Sequence, residues 1–212
     1  MTMSEELIQS LVAQHRKVRP FSAKPGLLFA AAATSMAILA CHILYGIRSD
    51  LLAGMPGDDL IIKAGLLFVL GAAALSATIS MARPGVGKNA NGWLWAALIA
   101  AIFPAYALFL ALAGQFPMGV LYASSGIRCF VTSFSFGISI AAGLIIWLRS
   151  AAPVRPNRIG WSVGVASGAF ATMAYSLTCP NNGIAYAGLW YTLAIFSTAV
   201  VSRITVPHLL RW

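Results

Sequence analysis

Three cysteines carry the reactive chemistry of this chain: Cys41, Cys129 and Cys179. A thiol reacts as its thiolate, so the groups beside each sulfur decide its use. Arg128 adjoins Cys129, and a neighbouring cation favours the thiolate. Cys179 is followed by Pro180 and the turn residues Asn181, Asn182 and Gly183, a tight polar setting. Such a pair allows a reversible disulfide, or thiolate ligation of a soft or borderline metal such as Cu(I) or Zn. Two thiols fall short of a four-ligand structural zinc site. Cys41 and His42 would complete one only if the first apolar segment packs beside the fourth and fifth. Simple packing is the ordinary use of a cysteine in an apolar segment. It is the reading for Cys41, mid-face in "SMAILACHIL", and it stays open for the other two.

The elements that must hold these residues follow from composition. Of 212 residues, 59% are hydrophobic and 9% charged, where a soluble domain carries about a quarter charged residues. The apolar residues fall in blocks of roughly 17–25, the length that crosses a hydrocarbon core of about 30 Å. The expected fold class is all-α: a polytopic membrane bundle of six transmembrane helices, at 26–46, 60–82, 93–113, 129–148, 161–178 and 188–206. The fifth, "WSVGVASGAFATMAYSLT", is rich in Gly, Ser and Ala. Small residues let helices approach closely, so it reads as an interior helix, with Gly164 and Gly168 at a packing spacing.

Lys and Arg set the orientation. With the N-terminus inside, the inner segments hold Arg16, Lys17, Arg19, Lys24, Arg83, Lys88, Arg149, Arg155, Arg158, Arg203 and Arg211, eleven of the fourteen. The outer side holds Arg48, Lys63 and Arg128. The reading is therefore N-in and C-in, and the net charge of +9 is a topology signal that calls for no nucleic acid. Roughly 25 polar residues precede the first span, which argues against a cleavable signal. Residues 1–25 form a cytosolic tail, 26–206 a membrane domain and 207–212 a cytosolic end.

This topology locates the thiols. Residue 154, midway between 129 and 179, lies in the inner turn "RSAAPVRPNR". Two helices leaving one turn rise at about 1.5 Å per residue, so Cys129 and Cys179 return to the same depth at the outer face. Cys41 falls at a similar depth. In a bacterial cell that side is the oxidising periplasm, where disulfides persist.

The tail has its own pattern. Thr2 and Glu5 match a capping box. Leu7, Ile8, Leu11 and Val12 make one apolar stripe, Arg16 and Lys17 follow near the end, and Pro20 stops the helix. Four turns are marginal alone in water, so the stripe needs a cover, either the lipid surface or a groove in a partner protein.

Catalysis finds no support. The span interiors are nearly bare of ionisable residues, which membrane enzymes and pumps keep for function. His42 and Lys63 lie toward outer ends, where a lysine snorkels. Trp93, Trp147, Trp161 and Trp190 suit interfacial anchoring. There is no His pair for haem, no carboxylate pair, no phosphate-cradling loop and no C-x-x-C pair, and no cofactor is expected. Pro104 and the Gly-rich fifth span leave a small-solute transporter as one alternative, and a scaffold or assembly protein with inert thiols is another.

In order and spacing the chain resembles the NrsF-type membrane anti-sigma factors, OsrA-like members included. The likeness runs through "RKVRP" (Arg16 to Pro20), "GIRSDL" (Gly46 to Leu51), "RPG" (Arg83 to Gly85) and Cys129 opening the fourth span. It continues with Cys179–Pro180, "LWY" (Leu189 to Tyr191) and the terminal Arg211–Trp212. The resemblance implies a protein of the bacterial inner membrane that holds an extracytoplasmic-function (ECF) sigma factor away from RNA polymerase. Oxidants or thiophilic metals would relieve that hold at Cys129 and Cys179. The sigma-binding role would fall to the tail, through Leu7, Ile8, Leu11, Val12, Arg16 and Arg19. Members of the family commonly carry a His just before the second cysteine. Thr178 stands there, which favours plain thiol chemistry over metal ligation.

Overall fold

The computed structural model describes residues 22–82, 92–115, 117–120, 124–150, 156–181 and 183–210. The tail residues Leu7, Ile8, Leu11, Val12, Arg16 and Arg19 lie outside them, as do Arg83, Lys88, Arg155 and Arg211. The described residues are helical, with no strand among them. Six long helices appear where six apolar blocks predict them: α1 (Lys24–Tyr45), α3 (Asp58–Ala82), α4 (Gly92–Leu112), α5 (Ser124–Leu148), α6 (Pro156–Ser176) and α7 (Ile184–Leu209). A single turn, α2 (Ser49–Leu52), sits in the first connection. Four of them, α1, α3, α5 and α7, are long and apolar enough to cross a membrane.

The bundle is built around α6. Its Gly, Ala and Ser content makes it the least apolar of the long helices, and the structure shows why that is tolerable: 15 of its 21 residues are buried, with α7, α3, α5 and α1 packed around it. α4 lies outside, against α3 and the first part of α7.

The spacing of Gly164 and Gly168 is used for close packing, as expected, and the ridge extends one turn further to Gly160. A Cβ on Gly160, Gly164 or Gly168 would stand 2.8, 2.4 or 3.0 Å from the Cα of Arg203, Ala199 or Ile195 respectively. Three consecutive turns of α6 thus lie directly on three turns of α7. No side chain other than hydrogen fits between them.

The outward faces are apolar. Leu28, Met36, Leu39 and Ile43 on α1, and Leu98, Leu108 and Phe109 on α4, are exposed. This is the inverse of a water-soluble bundle and suits a lipid surround. Polar groups inside are satisfied mostly by their own helices: Thr34, Ser167 and Thr198 each donate to a carbonyl four residues back. Two hydroxyl pairs cross between helices, Thr78 to Ser162 at 2.9 Å and Tyr45 with Thr132 at 2.6 Å. α1 and α3 both lean on α6 but make little contact with each other. An apolar cleft of about 400 Å³ separates them, floored by Phe170 and walled by Leu27, Ala30, Thr34, Phe68 and Leu75.

Candidate functional site

Helices α5 and α6 leave a common connection, so the residues just before α5 and just after α6 meet at one end of the bundle. Cys129 falls in the second turn of α5, which begins at Ser124 rather than at the cysteine. Cys179 lies three residues beyond the last residue of α6. Both belong to the same buried cluster, within electrostatic reach of each other. The thiols are free and not joined. Neither is at an open surface: Cys129 is 0% exposed and Cys179 1%.

The turn that carries Cys179 is held by two cations from elsewhere in the chain. Arg48, in the connection after α1, donates through Nη1 to the Cys179 carbonyl. Asp50 fixes the same guanidinium from its other side, accepting from Nε at 2.9 Å and Nη2 at 2.7 Å, a two-pronged carboxylate fork. The Arg48 bond holds the Asp50 carboxyl below the usual carboxylate range, and Asp50 in turn raises Arg48. Lys63, on α3, donates through Nζ to the Asn181 carbonyl at 2.8 Å. Its ammonium also lies over the Tyr191 ring, 5.9 Å from the centroid.

Side chains close the rest of this end. Asn181 donates through Nδ2 to Ser125 Oγ at 2.9 Å, and Tyr186 donates to the Ser125 carbonyl at 2.8 Å. Trp190 donates to the Val120 carbonyl at 2.9 Å. Tyr186 and Tyr191 meet edge to face, with centroids 6.0 Å apart. The first part of α7 is a π-helical segment, Ala187–Tyr191. Such widened turns are rare and gather at functional sites.

The outcome for individual residues is mixed. The fourth and fifth helices bring Cys129 and Cys179 to a common level, as the hairpin argument expects. Arg128 is exposed while the adjacent Cys129 is buried, because consecutive helical residues point about 100° apart. Lys63 is within electrostatic reach of both sulfurs. Lys63 does not snorkel outward. It is 2% exposed, turned toward the Cys179 turn. Cys41 is fully buried on α1 as a packing residue. α1 does pack beside α5 and α6, yet among the described residues no three His, Cys, Asp or Glu side chains gather as a metal site. Trp147 and Trp190 act in packing as well as at helix ends, seated against Gly26 and Gly126. The side chain of Trp93 lies outside the described residues.

The opposite end carries Lys24, Arg149, Arg158 and Arg203 at or near helix termini. Arg203 stacks over the Trp161 ring at 5.3 Å. The two ends thus differ, one collared by exposed cations and the other holding Arg48 and Lys63 against backbone carbonyls.

A family model described as "Negative regulator of sigma F", NrsF, matches residues 11–212. The chain belongs to the NrsF family. Among curated NrsF proteins, a "Probable anti-sigma-F factor NrsF" from Azospira oryzae is 28% identical over 218 aligned positions, covering 99% of both chains. The "Anti-sigma-F factor NrsF" of Caulobacter vibrioides is 28% identical over 169 positions, covering 78% of each. No solved structure matches the chain. The NrsF match takes in every described helix and begins inside the tail, at residue 11.

Proposed function

We propose that this NrsF-family chain is a membrane-bound anti-sigma factor and not an enzyme. It holds a sigma factor of the ECF type through its tail, around Leu7, Ile8, Leu11, Val12, Arg16 and Arg19. The observation that carries this reading is the family match from residue 11 to the C-terminus, joined to the amphipathic pattern of the tail. All six long helices cross the bacterial inner membrane, with both termini in the cytosol. α4 and α6 cross as members of the bundle, since each packs along neighbours that are themselves long enough to span.

The thiol pair supplies the signal. Cys129 and Cys179 share one buried end of the bundle, and Cys179 lies in a turn that ties α1 to α3 through Arg48 and Lys63. Oxidation of the pair, or capture of a thiophilic metal, would pull on that turn. Shifting a partner from about one-tenth free to about nine-tenths free needs about 2.6 kcal/mol of differential between two states, and a disulfide supplies about 2–4 kcal/mol. The burial of both sulfurs favours one other reading, that of packing residues in a scaffold protein.

Co-purification of the full chain from detergent, beside a chain lacking residues 1–25, tests the partner. A sigma factor retained by the full chain and lost from the truncated one is expected; equal recovery from both would remove the tail from the role. Cys129→Ser and Cys179→Ser chains should each fix expression of the partner's target genes in one state. Normal induction in both single variants would return the thiols to packing.

A further inference from the structure

The cleft between α1 and α3 has a definite depth and shape. Its walls run from Leu27 to Ser35 on α1 and from Phe68 to Ile79 on α3. The two helices are joined at the Arg48 end and run antiparallel, so Leu27 and Ile79 both lie toward the other end, the one with Lys24. At 1.5 Å per residue these stretches are about 12 and 16 Å long, about half of a 30 Å hydrocarbon core. The cleft is therefore as deep as one leaflet. Spread over that length, 400 Å³ gives a section of about 30 Å². A helix with its side chains is about 10–12 Å across, a section of about 80 Å² or more. An alkyl chain, whose carbons pack at about 4 Å, enters such a groove; a further helix does not.

The lining suits an apolar guest. Thr34 and Ser76 are among its polar residues, and each gives its hydroxyl to a carbonyl of its own helix, Ala30 at 2.7 Å and Ala73 at 2.8 Å. A bound water needs two to four polar partners, and these walls are mostly alkyl and aromatic. The mouth is different. Lys24 stands one turn before Leu27 on the same face of α1, since residues three apart share a face, and it is exposed. Trp147 fixes its level: the indole packs on Gly26 and donates to the Ser22 carbonyl at 3.3 Å. Tryptophans at span ends lie at the headgroup level. Arg149, Arg158 and Arg203 are exposed at this same end. Among the described residues every acid, Asp50, Asp58 and Asp59, is at the opposite one.

We propose that the α1–α3 cleft binds one anionic phospholipid of the inner leaflet, with an acyl chain laid over Phe170 and the phosphate held at Lys24. Apolar walls one leaflet deep take the chain, and a cation at their mouth, at headgroup level, takes the charge. Basic sites between helices on the cytosolic side hold anionic headgroups by this division of labour. The site rests on the membrane placement proposed above and is independent of the sigma-factor and thiol roles. It makes α1, the helix that continues from the tail, partly a lipid-packed element.

The test offers the full chain, in detergent micelles, equal amounts of dioleoyl-phosphatidylglycerol and dioleoyl-phosphatidylcholine, and counts retained lipid by native mass spectrometry. The wild type should keep one lipid, the anionic one favoured about fivefold, the worth of one lysine beside an anionic headgroup. Ala31→Phe and Ala72→Phe each put a ring into the cleft from an exposed lining position. Both should lose the lipid and still melt with the wild type. Lys24→Gln leaves the cleft open, so it should keep a lipid and lose the preference. Equal retention by the wild type and both phenylalanine variants would mean annular lipid only and overturns the proposal. A preference that survives Lys24→Gln overturns it as well, whatever the phenylalanine variants do. A wild-type dimer abolished by either phenylalanine would put a second copy in the cleft instead. Extraction of membranes with alkaline carbonate separates the two failures. A chain that washes off sinks the membrane placement and the site with it, whereas an embedded chain with no selective lipid sinks the site alone.

Discussion

The α6–α7 seam and the turn carrying Cys179 are both buried, but they are held by different physics. Along the seam, Gly160, Gly164 and Gly168 put one backbone on another, with nothing movable between them. At the turn, the contacts are the far ends of long side chains, Arg48 and Lys63, resting on carbonyls. A backbone-on-backbone contact has a single geometry. A lysine or arginine clamp has many, and it can be released without remaking the core. The difference assigns the seam to permanence and the turn to change.

Three interventions would break or sharpen that contrast. The largest effect belongs to Gly164→Val. Its Cβ would fall 2.4 Å from the Ala199 Cα, where no side chain can yield. Overpacking costs about 1–3 kcal/mol and more where backbone must move, so loss of the folded monomer is expected in size-exclusion chromatography. A folded, stable Gly164→Val chain would show that the seam slides after all.

Lys63→Met comes next. It keeps the stem and removes the donor to the Asn181 carbonyl, at a cost of about 1–3 kcal/mol, and the bundle still folds. Maleimide labelling of Cys179 in nanodiscs should rise several-fold. Labelling that stays at the wild-type level would mean that Lys63 does not hold the turn.

The smallest effect is that of acid on the Arg48–Asp50 fork. The Asp50 carboxyl sits lower in the folded chain than its unfolded value of about 3.9. Its contribution is therefore complete above that value and lost as pH falls through the lower folded one. Thermal melts should lose a small increment of stability below about pH 4, and Asp50→Asn should flatten that part of the profile. An identical acid limb in the variant would place the loss elsewhere.

Much of the fold was legible because apolar length and small-residue spacing are local signals. Six blocks predict six helices, and Gly164 with Gly168 predicts the seam. Gly160 continues the same spacing and was there to be read. The fourth helix starts earlier than expected, since Ser124, Ser125 and Arg128 are polar yet still helical. The clamps were not legible. Arg48 meets Cys179 across 131 positions and Lys63 meets Asn181 across 118, and no spacing encodes such contacts. A lysine near a span end reads as a snorkel in the absence of its neighbours. Adjacency also misled: Arg128 stands next to Cys129 in the chain and on another face of the helix. The π-helical segment has no sequence signal comparable to a proline or a capping box.

The cleft between α1 and α3 gives α1 an unusual freedom. On that side, among the described residues, the first helix makes little contact with α3, across a gap floored by Phe170. Its far end runs into Gly46 and Arg48, and its near end continues directly from the tail. A rod supported along one flank and pinned at its tip can rock, if the partner proposed above pulls on its base. A few degrees of tilt at Arg48 would displace the base by a comparable arc, with no need to disturb the glycine seam behind it.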